Sequence, residues 1–367
     1  MKKLMVILII VVMVLGGCDG ETPVEEVKVP LGESPVASVE EGEVEVPESA
    51  PEVEVESKEP MEEQIEEVVV VPEVVNEEVV DGLMSLVTEG DLANVWSYLL
   101  HEMPTSNSVT EEQLVIDYMI FAEEQVWSAS DPLYEAGWEL HEAIYQVFDD
   151  HEDEFAYTHV IIGDDKARLL SYMPEVYKVI LEGIFNQGYG LVSAEGSYYT
   201  VVDYEMLINM AETSYSDMTM AYLDLQNNAL IKQTTIEEYL NLTAFELMNR
   251  CIRIEGFLLT YEERPDLYTN MMTRQLNICL YKLSTPSPFD GSLDEDGTLS
   301  KDFERIYEDI LKTEPTPVVT EVVMDITAWI NSREGGYVAT YNDSEDLFKV
   351  SGEIFGKATE MVTTLYK

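Results

Sequence analysis

The sequence predicts an all-α domain, a multi-helix array or bundle with one short β-hairpin near residues 190–202, behind a disordered acidic tether. Three observations predict it. Apolar residues across 81–367 recur at spacings of three and four, which puts them on one face of successive helices. Helix start and stop signals punctuate that pattern. Only one stretch, Gly190 to Tyr204, alternates with the period of a strand.

The elements follow in order. Asp91 is placed to cap a helix carrying Leu92, Val95, Trp96, Leu99, Leu100 and Met103, and Pro104 stops it. Thr110 with Gln113 reads as a capping box, opening a stripe of Leu114, Tyr118, Phe121, Ala122 and Val126. Asp131-Pro132 reads as the start of the next helix, with Leu133, Leu140, Ile144, Val147 and Phe148. Pro174 opens a helix with Tyr177, Ile180, Leu181, Ile184 and Phe185 on one face, closed by Gly188. In the strand-like stretch, Glu195-Gly196 is the two-residue turn of a hairpin.

The C-terminal half is helical again. Thr235 with Glu238 reads as a second capping box, followed by Ile236, Leu240, Leu247, Cys251, Ile254 and Leu258. The chain turns around Pro265 into a returning helix with Leu267, Met271, Ile278 and Leu283. Ser300 caps a helix bearing Phe303, Ile306, Tyr307, Ile310 and Leu311. Two more run from Pro317 to Ser332, ended by Gly335-Gly336, and from about Ser344 onward. A subdivision of the helical part near 160–190 is a candidate boundary.

The N-terminus predicts an address. Lys2 and Lys3 precede an unbroken apolar run of 12 residues, Leu4 to Leu15. That is short of the roughly 20 needed to span a bilayer and fits a secretory signal. The run ends in Leu15-Gly16-Gly17-Cys18, a small-residue cleavage site directly before a Cys. Residues 1–17 are therefore read as a lipoprotein signal peptide, with Cys18 the acylated first residue of the mature chain. Residues 18–80 are read as the tether. From Asp19 to Val80 there are 21 acidic residues, two Lys and seven Pro, but no aromatic residue, so self-repulsion outweighs any apolar burial.

Charge excludes one class of partner. The chain has 20 Lys and Arg against 73 Asp and Glu, a net charge of -53. A polyanion needs clustered cations, so nucleic acid is not expected. Residues 81–367 alone carry 52 acidic and 16 basic side chains.

Catalytic and metal-binding patterns are sparse. His141, His151 and His159 border the run Asp149 to Glu154, but only Glu154 stands at a ligand spacing from His151; this reads as a solvated acidic turn. Ser292 to Gly297 resembles half a calcium loop, yet Phe303 occupies the twelfth position, so a polar turn is expected. No metal or cofactor is expected. No Gly-x-Ser-x-Gly elbow occurs.

The candidate partner or ligand groove is Glu195, Tyr198, Tyr199, Asp203 and Tyr204, on and after the hairpin, since Tyr offers contact area with a polar tip. Packing of those tyrosines between hairpin and helices is the competing reading. Cys251 and Cys279 lie 14 residues on either side of Pro265, at one height in an antiparallel pair, and are a candidate disulfide.

The segments Glu195-Gly196-Ser197-Tyr198-Tyr199 to Asp203-Tyr204, Glu255-Gly256-Phe257-Leu258 and the Leu276-to-Phe289 region resemble a group of exported surface lipoproteins of Gram-positive bacteria, over roughly residues 170–335. The resemblance implies a lipid anchor, an acidic spacer and a mostly helical C-terminal domain, and no known activity. The expected function is a non-enzymatic lipoprotein on the outer face of the cell membrane. It would be held in the lipid bilayer through acylated Cys18, its helical domain binding a protein or envelope component. A ligand-capture module serving a transporter and an envelope hydrolase are the alternatives.

Overall fold

A computed structural model describes residues 74–367 apart from 158, 195, 212–214, 237–238, 288–290, 334–344 and 367. The segment read as a signal peptide, Cys18, almost all of the segment read as a tether, Glu195 and Gly335-Gly336 lie outside the described residues. The described part is mostly helical.

Helix α1, Glu77–Glu89, starts inside the stretch assigned to the tether; Val79 and Val80 pack on the core. Helix α2, Leu92–Glu102, begins as expected, with the Asp91 side chain accepting from the Asn94 N–H. Helix α3, Ser108–Glu135, differs from expectation at both ends. Its cap is Asn107, whose side chain accepts the Thr110 N–H at 2.9 Å. Thr110 instead takes the Asn76 N–H on its hydroxyl at 2.8 Å, which closes the start of α1. At the other end Pro132 lies within the helix instead of opening a new one. The carbonyl that Pro132 leaves without its helical donor is that of Ser128, a residue on the exposed side. The next helix, α4, is Trp138–His151.

Two short helices follow, α5 (Asp164–Tyr172) and α6 (Glu175–Phe185). The hairpin forms as predicted, β2 (Tyr189–Ala194) with β3 (Ser197–Val202). Gly188 enters it at φ 83°, where a Cβ would stand 2.0 Å from the Tyr118 hydroxyl, so no other residue fits. A third strand, β1 (Val160–Ile161), pairs antiparallel with β2, giving the order β1-β2-β3. This strand joins the region before residue 160 to the hairpin, and residues 72–367 form one unit with no division near 160–190.

Helices α7 (Tyr204–Ala211) and α8 (Asp217–Ile231) come next. Thr235 does not cap a helix. Thr235–Ile236 (β4) pairs with Tyr239–Leu240 (β5), and the capping box sits eight residues later, at Thr243 and Glu246. It opens α9, Ala244–Thr260, which turns at Pro265 into α10, Asp266–Ser284. On α10 the buried stripe is Tyr268, Met272, Leu276, Cys279 and Leu283, while Ile278 faces outward. Helices α11 (Lys301–Thr313), α12 (Pro317–Asn331) and α13 (Glu345–Leu365) complete the described elements. One buried apolar cluster runs from Leu83 to Tyr366.

Helix α12 begins on a carboxylate from another helix. Glu255, fully buried on α9, accepts the N–H groups of Val318 (2.7 Å) and Val319 (2.9 Å), the Thr316 hydroxyl (2.6 Å) and the Tyr366 hydroxyl (2.6 Å). The first N–H groups of a helix have no partner within it, and a negative charge there is favourable. Glu255 thereby joins α9, α12 and the end of α13.

A surface of aromatic residues beside the hairpin

The residues expected to form a groove separate in the structure. Strand register decides this. Tyr198 pairs with Ser193 and Thr200 with Leu191, which turns both toward the main core, whereas Tyr199 pairs with Val192 on the opposite face. Tyr198 is buried against Tyr145 (ring centroids 4.9 Å) and Phe148 (6.4 Å). Tyr204 is buried and donates to the Glu123 carboxylate, and burial pushes that carboxyl above its usual range.

Asp203 is also buried, and it binds Lys166 at 2.5 Å. It accepts the N–H of Gly163 and of Met206, both at 3.0 Å, and so fixes the starts of α5 and α7. A charge taken out of water needs such partners. Asp203 is a structural staple and Tyr198 and Tyr204 are core residues; none of the three forms a groove. Of the described members of the expected set, Tyr199 alone is not buried; it is half-exposed and packs on a small second cluster of Val160, Ile162 and Val192.

Tyr199 has aromatic company that the sequence reading passed over. Trp127 lies edge-on to it at 6.3 Å and Tyr134 at 6.1 Å, both from α3. Trp127 is 61% exposed and Tyr134 48%. Trp138, at the start of α4 beside the hairpin turn, is 58% exposed. Large aromatic side chains gathered on a surface mark an interaction site more often than scattered ones do.

The geometry that holds this surface follows from the edge of the sheet. β3 is an edge strand, so alternate N–H groups point away from β2. The Thr200 N–H donates to the buried Ser130 hydroxyl at 3.1 Å, and Ser130 lies between Trp127 and Tyr134 on α3. The Tyr198 N–H donates to His141 Nδ1 on α4 at 3.0 Å. Two helices are thereby seated against the open strand.

The His141 contact carries a pH dependence. Its Nδ1 is an acceptor, so the ring is neutral with its proton on Nε2. Burial lowers its pKa from the ordinary histidine value. A lowered pKa means that the unfolded chain binds the proton more readily, so this stabilisation is complete above about pH 6.5 and is lost as pH falls below it. Replacing His141 with Phe strands the Tyr198 N–H at a cost of about 1–3 kcal/mol at neutral pH. In urea titrations at several pH values, the gap between wild type and His141→Phe is expected to narrow from pH 7.5 to 5. A constant gap removes the linkage. The half-buried His159 and Glu123 titrate in both proteins and cancel in this comparison.

The other expected centres resolve into local structure. His151 bonds Glu154 at 3.2 Å and stacks on Tyr172 at 3.8 Å, and Tyr172 donates to Glu154 at 2.6 Å. In the 292–297 loop, the Asp296 carboxylate accepts the N–H and hydroxyl of Thr298, and Asp294 accepts the Gly297 N–H on its carbonyl, so the turn uses its own polar groups. Among the described residues no cluster of three His, Cys, Asp or Glu is placed to hold a metal. No described helix is long and apolar enough to cross a membrane.

Cys251 and Cys279 do meet across α9 and α10, as the equal spacing from Pro265 predicts, but as free thiols. The Cys279 sulfur lies 3.8 Å from the Thr234 hydroxyl, and burial pushes the Cys251 thiol up. Packing requires only that the two side chains meet; a bridge requires oxidation as well.

No family model, no curated protein and no solved structure matches the chain.

Proposed function

We propose that the chain is a lipid-anchored lipoprotein on the outer face of the cell membrane whose helical domain binds a protein or envelope partner without catalysing a reaction. The Leu15-Gly16-Gly17-Cys18 junction and the acidic stretch after it support the anchor and spacer. The observation that carries the binding role is the cluster of Trp127, Tyr134 and Tyr199, with the exposed Trp138 at the hairpin turn. Its members come from two helices and a strand that are bonded to one another, so the surface is preorganised and little ordering entropy is lost on binding. Trp and Tyr are also the side chains that most often dominate interface energies.

Carboxylates at Glu124, Asp131, Glu135 and Glu139 lie close in sequence to the aromatics and disfavour an anionic partner. They fit a neutral glycan face or a cationic peptide segment of the envelope.

Double substitution Trp127→Ala, Tyr134→Ala is expected to leave folding intact, because both side chains are largely exposed. Loss of two aromatic anchors weakens binding to isolated cell walls or purified envelope by about 30-fold or more. A co-sedimentation assay reads this. Equal binding by the variant and the parent would remove the aromatic surface from the function.

A further inference from the structure

A second feature, built from other residues, goes beyond that reading. Between α8 and α9, with one side chain from α10, lies a half-open cavity of about 380 Å³. That is within the size range of small-molecule sites. Leu225, Leu242, Ile254 and Phe245 give it apolar walls. In a chain of 20 basic residues and net charge -53, three of the bases, Lys232, Arg250 and Arg253, line this one cavity.

Two of the three are neutralised. Lys232 binds Glu246 at 2.6 Å, and Arg253 binds Asp224 at 2.5 Å. Arg250 is not. It donates to the Thr234 hydroxyl and to the Asn228 carbonyl, each at 3.1 Å, and among the described residues no carboxylate stands within ion-pair distance of it. A guanidinium has five N–H donors, so three remain for another acceptor. The group is partly desolvated, and burial lowers its pKa from the ordinary arginine value. Glu246, one turn earlier on α9, acts on it electrostatically but is bound to Lys232.

Gln275, from α10, donates from Nε2 to Gln226 at 2.5 Å and completes the wall. Three unused guanidinium donors on the wall of an apolar cavity, with no carboxylate within ion-pair distance among the described residues, offer a site to an anion.

We propose that this cavity binds a small organic carboxylate with an apolar body, its carboxylate on Arg250. Planar guanidinium and carboxylate match in a two-point geometry, and the apolar walls take the rest of the molecule. A monoanion is favoured over a phosphate because Lys232 and Arg253 are already paired. Beyond roughly a Debye length of 8 Å the overall negative charge is screened, so the local cation sets the preference.

The test uses the full mature chain and 4-methylpentanoate as probe, with its neutral amide and inorganic phosphate alongside, read by titration calorimetry. Saturable binding of the carboxylate, with the amide weaker by about tenfold or more, is expected from the loss of a charge-assisted pair. Arg250→Gln is expected to abolish the difference between acid and amide, with helicity checked by circular dichroism. If that variant does not fold, Phe245→Ala decides, since Phe245 is 62% exposed and dispensable for folding. It should weaken carboxylate binding by about threefold to tenfold through lost apolar contact. Equal binding of acid and amide, preference for phosphate, no saturable binding, or a Phe245→Ala variant that binds as the parent does would each overturn the proposal.

Discussion

Replacing Glu255 with Ala should unfold the domain at a temperature lower by about 6–10 °C, the shift expected for a loss of about 3–5 kcal/mol in a chain of this size. The reason is the number of donors left behind. Two N–H groups of α12 and the hydroxyls of Thr316 and Tyr366 all converge on this one buried carboxylate. Each unsatisfied donor costs about 1–3 kcal/mol before relaxation. Glu255→Gln is the sharper version. It keeps the shape but turns an amide NH2 toward donors, so it should be nearly as damaging as Ala. Thr316→Val and Tyr366→Phe each remove a donor and leave the carboxylate otherwise satisfied, so each should cost only about 1 kcal/mol. Thermal unfolding by circular dichroism orders the four. A Gln variant as stable as the parent would mean that the carboxylate does not hold α12.

The second large effect concerns location. Cys18→Ala is expected to move the protein wholly from membrane to soluble fractions, with the helical domain still folded. The sulfur is the only atom at that junction able to take a diacylglyceryl group. Without it the chain lacks the buried methylenes, at about 0.8 kcal/mol each, that make anchoring stable. Fractionation with mass spectrometry of the N-terminus reads both steps. Parent protein in the soluble fraction, or an unmodified Cys18, would end the lipoprotein reading.

Helix ends with one strong local signal were legible. Asp91 capping α2, Pro174 before α6 and Pro265 before α10 each sit where the structure uses them. Ends with several competing signals were not. Ser106, Asn107, Ser108 and Thr110 are all good capping residues, and the choice of Asn107 depends on Thr110 being occupied by Asn76, 34 positions earlier. Strand β1 has two residues, too few for any period, and exists only through Val192 and Leu191.

The aromatic surface was partly legible. Neighbours on a strand face opposite ways, so Tyr198 and Tyr199 could never share a groove. Which of them faced outward depended on what covered the sheet. Trp127 and Tyr134 are seven residues apart among Glu124, Asp131 and Glu135, and two large aromatics on a charged helical face were the available signal. Nothing in the sequence marked Glu255 as the cap of a distant helix. In a chain with 73 acidic residues, one carboxylate that serves a distant helix looks like the rest.

The buried sulfur pair gives the molecule an internal clock. Cys251 and Cys279 both face inward, on helices joined by a five-residue turn, and the remaining cysteine is the one assigned to the lipid. An alkylating reagent in solution therefore meets a reactive sulfhydryl only when α9 and α10 part. Its rate of incorporation under native conditions measures how often that hairpin breathes, and whether it opens alone or with the whole domain, with no engineered label. The same packing that hides them sets the frequency at which they become vulnerable.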